Sequence, residues 1–444
     1  MQVDPLHHRC FYVYGLGLSG MAVVGYLEDQ MARIIVGDDK INDDVAGHAP
    51  QHVDDIDWGV VDVFVPAPGL PETHPAYVRA RQEKCEILGE LEIYAWKMML
   101  ADEAPRIIAV TGTNGKSTTT ALIAHLMDSV TEGSIVAGGN LGLPLLKMPM
   151  DANWHVVELS SYQLDLQTSF ASDVAVLTNL GVDHLDRHGS VEAYHGAKKK
   201  LFDQTCDHGG RLVLGVVDAV GLAWYQEFSG RTPRAKSVGL GEDAQIHVAD
   251  GQLHVDGVTY PLDIPKSLQG RHNGENIASA IGACLAAGNE LDELLSALAS
   301  FPGLPHRPEH GLRTGELQFV YDSKATNASS TCHALRAWPG SYWLVGGLSK
   351  PEDLSILAKT AKETSAKAFA FGKDAGVFVD ALSDFVPVTQ CPDLEKAFHA
   401  AVAQAQKGDG GTILLSPASA SFDAYPNFMA RGEHFRGLVE AWGA

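Results

Sequence analysis

Long apolar runs, paired cysteines and positive charge are what this chain of 444 residues has least of. No stretch approaches the roughly eighteen residues of a membrane-spanning helix, which excludes a transmembrane protein of the helical kind. Residues 1–10 are polar and His-rich with no apolar signal core, so a cytoplasmic location is expected. Six cysteines, Cys10, Cys85, Cys206, Cys284, Cys332 and Cys391, are scattered without a Cys-x-x-Cys pair. That spacing argues against a disulfide framework and a cysteine zinc site, and predicts buried thiols. Lys and Arg number 33 against 55 Asp and Glu, a net charge of −22. Sequence-independent binding to nucleic acid or to an anionic membrane is thereby disfavoured, and any phosphate ligand must meet local cations or metal ions. Internal repeats and low-complexity tracts are also missing. What remains is an apolar content of 45%, ample for the cores of two to four globular domains.

The most informative stretch that is present runs from Arg106 through Ile107, Ile108, Ala109 and Val110 to Thr111, then Gly112, Thr113, Asn114, Gly115, Lys116, Ser117 and Thr118. A β-branched run ends in a glycine-rich turn, and a lysine and two hydroxyls open the helical segment Thr119 to Met127. This reads as strand, phosphate loop, helix. Backbone N–H groups at a helix start, with the helix dipole behind them, favour an anion. Lys116 adds a point charge for the β- and γ-phosphates, and Ser117 a Mg²⁺ ligand. The usual phosphate-loop spacing would place its first glycine at Val110, so the loop is a compact variant.

Upstream, Phe11 to Tyr14 is a strand candidate running into Gly15-Leu16-Gly17-Leu18-Ser19-Gly20, followed by helical spacing from Met21 to Leu27 and a second strand from Arg33 to Val36. This is a βαβ unit with a Gly-x-Gly-x-x-Gly turn, and Asp38 stands where a ribose-binding acid belongs. By itself the unit suggests a dinucleotide oxidoreductase, although its glycines require only a tight turn near some phosphate. A further strand, Val61 to Val65, ends in Pro66-Ala67-Pro68-Gly69, and a helix is expected from Glu90 to Leu100 before the polar break Ala101 to Pro105.

Downstream, Trp154 to Leu159 puts Glu158 at the end of an apolar strand, and Asp173 to Asn179 repeats the pattern. Open α/β sheets bind ligands at such strand ends, so Glu158 is a candidate Mg²⁺ ligand. Next, Asp183-His184-Leu185-Asp186-Arg187-His188 gathers metal-ligating side chains on one loop. Lys198, Lys199 and Lys200 continue a helix, and spacing does not choose among them. A strand is expected from Arg211 to Val216. Gln245 to Leu262 alternates about Asp250-Gly251 and Asp256-Gly257, which predicts β-hairpins in an antiparallel appendage. Helices follow from His272-Asn273 to Ala287 and from Leu291 to Phe301, and the segment 302–308 breaks all periodicity and marks a boundary and hinge. Strands at Leu317–Tyr321, Tyr342–Val345, Ala368–Phe371 and Thr412–Leu415 alternate with helices, giving a last α/β unit.

Taken together these motifs resemble the Mur ligase family along the whole chain. The resemblance rests on the Gly112–Thr118 loop, Glu158-Leu159-Ser160-Ser161-Tyr162-Gln163-Leu164, Asp183 to Arg187, His272-Asn273 through Asn276, Leu304-Pro305-His306-Arg307, Asp322-Ser323-Lys324-Ala325-Thr326-Asn327 and Leu415 to Asp423. The last run, with Asn427-Phe428 and Arg431-Gly432, is similar to the glutamate-adding branch. The resemblance implies an α/β fold of three domains: a Rossmann-like UDP-binding domain (1–100), a central phosphate-loop ATPase-like domain with a mainly parallel sheet (101–301), and a Rossmann-like amino-acid-binding domain (302–444). It implies an ATP-dependent ligase in peptidoglycan precursor synthesis, joining D-glutamate to UDP-MurNAc-L-Ala through an acyl phosphate, with a monomeric chain expected.

In that scheme Gly112, Thr113, Asn114, Gly115, Lys116, Ser117 and Thr118 bind ATP with Asn273, Asn276, Arg307 and Asp322. Ser117 and Glu158 would hold one Mg²⁺, and His184 with a carbamylated Lys198 a second. Leu18, Ser19, Asp38, Lys40, Gly69, Asn140, Ser160 and Gln163 would meet the UDP substrate. Lys324, Thr326, Lys350, Ser421 and Phe428 would form the glutamate site. The chain departs from the family pattern in having Ala67 for a serine, Ser419 for a frequent cysteine, and no acid just before Lys350. A nicotinamide dehydrogenase, a nucleotide-switched binding protein and a folylpolyglutamate-type ligase are the rival readings; the first two leave motifs unused, and the Ser416–Asp423 run argues against the third.

Overall fold

The computed structural model describes residues 5–41, 43–140, 142–268, 270–304, 309–349, 353–408 and 410–443. Its described strands form three sheets, each built mainly from parallel neighbours with helices between them.

The first sheet contains β1 (Cys10–Tyr14), β2 (Arg33–Gly37), β3 (Val63–Pro66) and β4 (Glu86–Ile87), all parallel in the order β2-β1-β3-β4. Every residue of β1 is buried, as an inner strand covered on both faces requires. The chain leaving β1 runs to β2 on one side and that leaving β3 runs to β4 on the other, so the crevice at the ends of β1 and β3 is a topological switch point, where open sheets bind ligands.

The second sheet has β5 (Arg106–Thr111), β6 (Ile135–Gly139), β7 (Trp154–Glu158), β8 (Val174–Leu177), β9 (Arg211–Gly215), β10 (Ala235–Gly239), β11 (Ile246–Ala249), β12 (Gln252–Val255) and β13 (Val258–Pro261). Their order is β13-β12-β11-β10-β9-β8-β5-β7-β6. β5 lies between β7 and β8, parallel to both, so the loops after these three strands converge at one edge. The expected hairpins are present: β11, β12 and β13 are antiparallel, and Asp250, Gly251, Asp256 and Gly257 take φ of 49°, 73°, 46° and 85°. Two successive left-handed residues make the two-residue turn that matches strand twist, and Asp-Gly is its favoured sequence. The hairpins are no separate appendage, however, because β11 pairs with β10 and extends the sheet.

The third sheet orders β14 (Glu309–Thr314), β15 (Leu317–Tyr321), β16 (Tyr342–Gly346), β17 (Lys367–Phe371), β18 (Val388–Gln390) and β19 (Gly411–Leu415) as β14-β15-β19-β16-β17-β18. All pairs are parallel except β14 with β15, an antiparallel edge that sequence alternation did not reveal.

By packing, the chain divides into two compact units, residues 1–264 with 273–301, and residues 265–272 with 302–444. One apolar core serves the first two sheets, since Phe11, Val13 and Val65 belong to the same cluster as Leu145, Leu146, Val157 and Leu177. Two buried acids on the helix Glu90–Leu100 fasten the junction. Glu90 accepts from the Leu146 N–H (3.2 Å), and Glu92 from the N–H groups of Thr168 (2.7 Å) and Ser169 (3.0 Å). None of the six cysteines forms a disulfide, and Cys85 and Cys206 are only partly buried. Among the described residues no helix is long and apolar enough to cross a membrane.

Candidate active site

The loop after β5 turns sharply enough that only glycine fits at two positions. Gly112 has φ of 150°, and a Cβ there would lie 2.0 Å from Thr178 Oγ1. Gly115, at φ 82°, starts the helix Lys116–Val130, and its added Cβ would lie 2.2 Å from Asn276 Oδ1. Among the described residues no side chain caps that helix, so the positive end of its dipole faces the loop. Neighbouring strand ends hold the loop in shape. The N–H groups of Thr113 and Asn114 donate to the backbone oxygen and Oδ1 of Asn179, both at 2.9 Å, and Thr178 Oγ1 donates to the Asn114 carbonyl at 2.6 Å. Lys116 arches back over the loop, its Nζ 3.0 Å from the Gly112 carbonyl and 2.9 Å from that of Thr113. Ser117 is buried and Thr118 half-buried. Asn276 donates to Asn273 Oδ1 (2.9 Å) and accepts from Thr119 Oγ1 (3.3 Å), so this expected pair stands beside the loop.

Charge collects behind the loop. Glu158 ends β7, is 1% exposed, and accepts from Asn140 Nδ2 at 2.5 Å. Lys198 is 1% exposed and donates to the Gly112 carbonyl at 2.9 Å. Burial and the nearby Lys116 charge push its pKa well below the usual lysine value, while Asp183 and Glu158 oppose that shift. The amine is thus biased toward its neutral, nucleophilic form. Its neighbours differ: Lys199 pairs with Asp203 and Glu227, and exposed Lys200 donates to the Asp165 carbonyl. Only tertiary burial separates the three.

His184 sits in left-handed conformation (φ 54°) at the start of the short turn Leu185–His188. Its Nδ1 is 3.0 Å from the Tyr162 hydroxyl and its Nε2 3.6 Å from Asp183 Oδ2. Tyr194, one helical turn before Lys198, places its ring 4.7 Å from Lys198 Nζ and its hydroxyl 3.1 Å from Thr113 Oγ1. The sequence reading missed Tyr162, Thr178 and Tyr194; the i, i+4 spacing of Tyr194 and Lys198 was the available signal. Among the described residues no three His, Cys, Asp or Glu side chains are grouped to hold a metal. An ion here would draw on hydroxyls or modified groups as well.

In the first sheet the three glycines divide their tasks. A Cβ on Gly15 would lie 2.5 Å from that of Ala67, and one on Gly20 would lie 2.0 Å from the Gly15 carbonyl, whereas one on Gly17 would meet nothing within 4 Å. The helix Leu18–Asp29 starts there without a side-chain cap among the described residues, with Leu18 78% exposed. Asp38 accepts from the N–H groups of Leu16 (2.7 Å) and Lys40 (2.8 Å), tying the loops after β1 and β2 together. Ser19 hydrogen-bonds the buried Glu90 carboxyl, while Lys40 and Gly69 are exposed. Ser160 and Gln163 form a capping box on the helix Ser161–Asp165, a local signature visible as Ser-x-x-Gln.

The third sheet gathers another set at its strand ends. Asp322 follows β15 and accepts from Ser416 Oγ at 2.8 Å. Lys324 Nζ lies 4.2 Å from the Phe428 ring centre, Ser421 is buried, and Thr326 half-buried. Arg307 and Lys350 lie outside the described residues.

Residues 110–284 match the Mur ligase middle domain. The chain is 38% identical over 468 residues to the UDP-N-acetylmuramoylalanine–D-glutamate ligase of Brucella abortus (strain 2308), covering 99% of this chain and 97% of that protein. It is 37% identical over 456 residues to the ligase of the same name from Caulobacter sp. (strain K31), covering 97% and 96%. Among solved structures, the MurF ligase of Thermotoga maritima in complex with ADP aligns with a TM-score of 0.63 at 15% identity, covering 99% of this chain and 100% of that one. The UDP-N-acetylmuramate-alanine ligase MurC of the same organism aligns with a TM-score of 0.61 at 17% identity, covering 98% and 100%.

Proposed function

The chain belongs to the Mur ligase family, and from that premise we propose that it is an ATP-dependent ligase adding D-glutamate to UDP-N-acetylmuramoyl-L-alanine, with release of ADP and phosphate. One observation carries the chemistry: a phosphate loop with its lysine stands against a buried carboxylate, Glu158, and a buried, neutral-leaning amine, Lys198. The full-length relatives' names supply the substrates. The three sheets support a reading as domains 1–100, 101–301 and 302–444.

A carboxylate resists attack by an amine until one oxygen becomes a leaving group. Phosphorylation by ATP achieves that, and two anions must then be brought together. In this reading the Gly112–Thr118 loop and Lys116 hold the β- and γ-phosphates with Asn273 and Asn276 beside them, and Arg307 and Asp322 are assigned to the nucleotide from the family resemblance. Ser117 and Glu158 would hold one Mg²⁺, and His184 and Lys198 a second. Bound there, such ions neutralise the crowded phosphoryl and carboxylate oxygens. The residues fit: a carboxylate as buried as Glu158 needs countercharge, and Lys198 can add CO₂ only as the free amine its burial favours. Addition of CO₂ to the free amine forms an N–C bond and releases one proton, so that a neutral amine becomes an anionic ligand.

The first sheet's open position at Gly17, with Leu18, Ser19, Asp38, Lys40 and Gly69, suits the UDP group. Asn140, Ser160 and Gln163 suit the sugar and alanine nearer the phosphate loop. Lys324, Thr326, Lys350, Ser421 and Phe428 are assigned to D-glutamate, whose amine attacks the acyl phosphate and expels phosphate as the amide forms. The protein acts as a monomer in the cytoplasm. Phosphate release from ATP with UDP-MurNAc-L-Ala, measured with D-glutamate, with L-glutamate and with neither, tests the assignment. Release that depends on D-glutamate is expected; faster release with the L-isomer would overturn the substrate, and release indifferent to the amino acid would overturn the ligase.

A further inference from the structure

Arg431 is the largest polar side chain among the fully buried residues, 0% exposed on the helix Phe428–Gly443. Its guanidinium donates from Nε to Ser323 Oγ (3.1 Å), from Nη2 to the carbonyls of Ser323 (2.8 Å) and Ser419 (3.0 Å), and from Nη1 to the Ala420 carbonyl (3.3 Å). Ser323 Oγ in turn donates to the Phe428 carbonyl at 2.8 Å. One side chain therefore ties together three segments: the turn after β15, the loop after β19, and the start of the last helix. Each carries a residue assigned above to the amino acid, namely Lys324, Ser421 and Phe428.

A buried cation satisfied by four neutral oxygens is costly, because among the described residues no direct ion pair offsets its desolvation. Asp423 and Asp322 act on it through space, and burial pushes its pKa down to about 10, which leaves it charged at neutral pH. Only a planar fork with five donors can bind carbonyls from separate segments at once; lysine would bring a point charge and a floppy stem. The loop it holds is also strained. Ala418 has φ of 56°, where a Cβ is disfavoured, and Gly347 is packed so closely that an added Cβ would lie 2.4 Å from the Ala420 carbonyl and 2.7 Å from Ser419 Oγ. A strained loop keeps its shape only when its surroundings over-determine it.

We propose that Arg431 is a positioning residue for amino-acid binding: its guanidinium fixes the mutual placement of Lys324, Ser421 and Phe428 without touching the substrate. The inference rests on the assignment of those three residues to D-glutamate.

The test compares Arg431→Lys, Ser323→Ala and the double variant of the full chain by steady-state kinetics and thermal melting. Arg431→Lys should raise KM for D-glutamate about ten-fold or more, the loss of one or two charge-assisted hydrogen bonds' worth of order, with KM for ATP and for UDP-MurNAc-L-Ala unchanged. Ser323→Ala should give a smaller rise in the same constant, and the double variant less than the product of the two, because both act through one network. A folded Arg431→Lys with unaltered glutamate KM, an equal rise in all three constants, or strictly multiplicative effects would each overturn the proposal. Should Arg431→Lys fail to fold, Ser323→Ala decides: an unchanged glutamate KM rejects the clamp. Lys324→Met and Ser421→Ala serve as controls. If these raise glutamate KM while Arg431→Lys and Ser323→Ala do not, the pocket assignment stands and the clamp falls; if these leave it unchanged, the assignment falls and the clamp with it.

Discussion

The chain builds a glycine-rich turn after a parallel strand twice, once after β1 and once after β5, and the two have been put to different use. Both start a helix without a side-chain cap among the described residues, and both press a glycine against a neighbouring strand end, Gly15 on Ala67 and Gly112 on Thr178. The difference lies in what surrounds them. Around the first, Asp38 is occupied with backbone N–H groups and Ser19 with Glu90. Around the second stand Lys116, Glu158, Lys198 and the Asp183–His184 pair, two of them fully buried. A backbone that receives a phosphate is therefore not yet a reaction centre. The proposed reaction also needs the charge brought in by adjacent strands and the next helix, because a low-dielectric site strengthens every cation aimed at a phosphoryl group.

The comparison breaks most visibly at the lysine that only the second turn has. Lys116→Ala should lower turnover by about a thousandfold or more while the melting temperature barely moves, since the contacts its ammonium makes with the loop carbonyls add charge rather than apolar packing. Turnover near wild type at saturating ATP would make the two turns equivalent.

Lys198→Ala should be nearly as damaging, yet partly rescued by small carboxylic acids that replace a carbamate. Lys199→Ala and Lys200→Ala should keep most activity, since each removes only surface contacts. Equal losses at all three would mean that burial does not distinguish them.

A paired glycine substitution sharpens the contrast within the backbone itself. Gly112→Ala forces a Cβ into Thr178 and should cost about 1–3 kcal/mol of stability. Gly17→Ala meets open space at φ −73° and should leave stability within about 0.5 kcal/mol, but raise KM for the UDP substrate alone. Indifference of that KM would remove the first turn from the binding site.

The smallest effect is a pH dependence. A lysine whose folded pKa lies below its ordinary 10.5 binds fewer protons folded than unfolded between those values, so stability rises with pH across that window and falls as pH drops. In CO₂-free buffer the stability advantage of Lys198→Met over the native chain should shrink as pH rises from 7 toward 10. Parallel unfolding curves at every pH would show that Lys198 is not desolvated.

Local features were readable in advance. The helix Glu90–Leu100 matches its expected ends, the Asp-Gly hairpin turns take the left-handed φ their residues favour, and the loop after β5 was evident from glycines, lysine and hydroxyls. Other readings failed for physical reasons. The antiparallel edge β14 has too little alternation to stand out, and the hairpins' union with β10 depends on a partner far along the chain. Ser160 and Gln163, assigned above to the UDP substrate, also carry the Ser-x-x-Gln spacing of a helix cap, which the reading left unused. Arg431 was quoted within a motif, and no spacing rule marks an arginine as buried.

The sequence by itself determined where backbone turns and helices begin, because those choices are made by each residue's own φ preference and by hydrogen bonds a few positions away. It also determined that the chain carries two phosphate-suited turns and an acidic balance. Only the tertiary structure decided that β5 lies between β7 and β8, which brings Glu158, Asn179 and the phosphate loop to one edge. It likewise decided which of three consecutive lysines loses its water and which arginine is locked among carbonyls. Burial is a property of what packs on a residue, and that packing comes from segments tens to hundreds of positions distant.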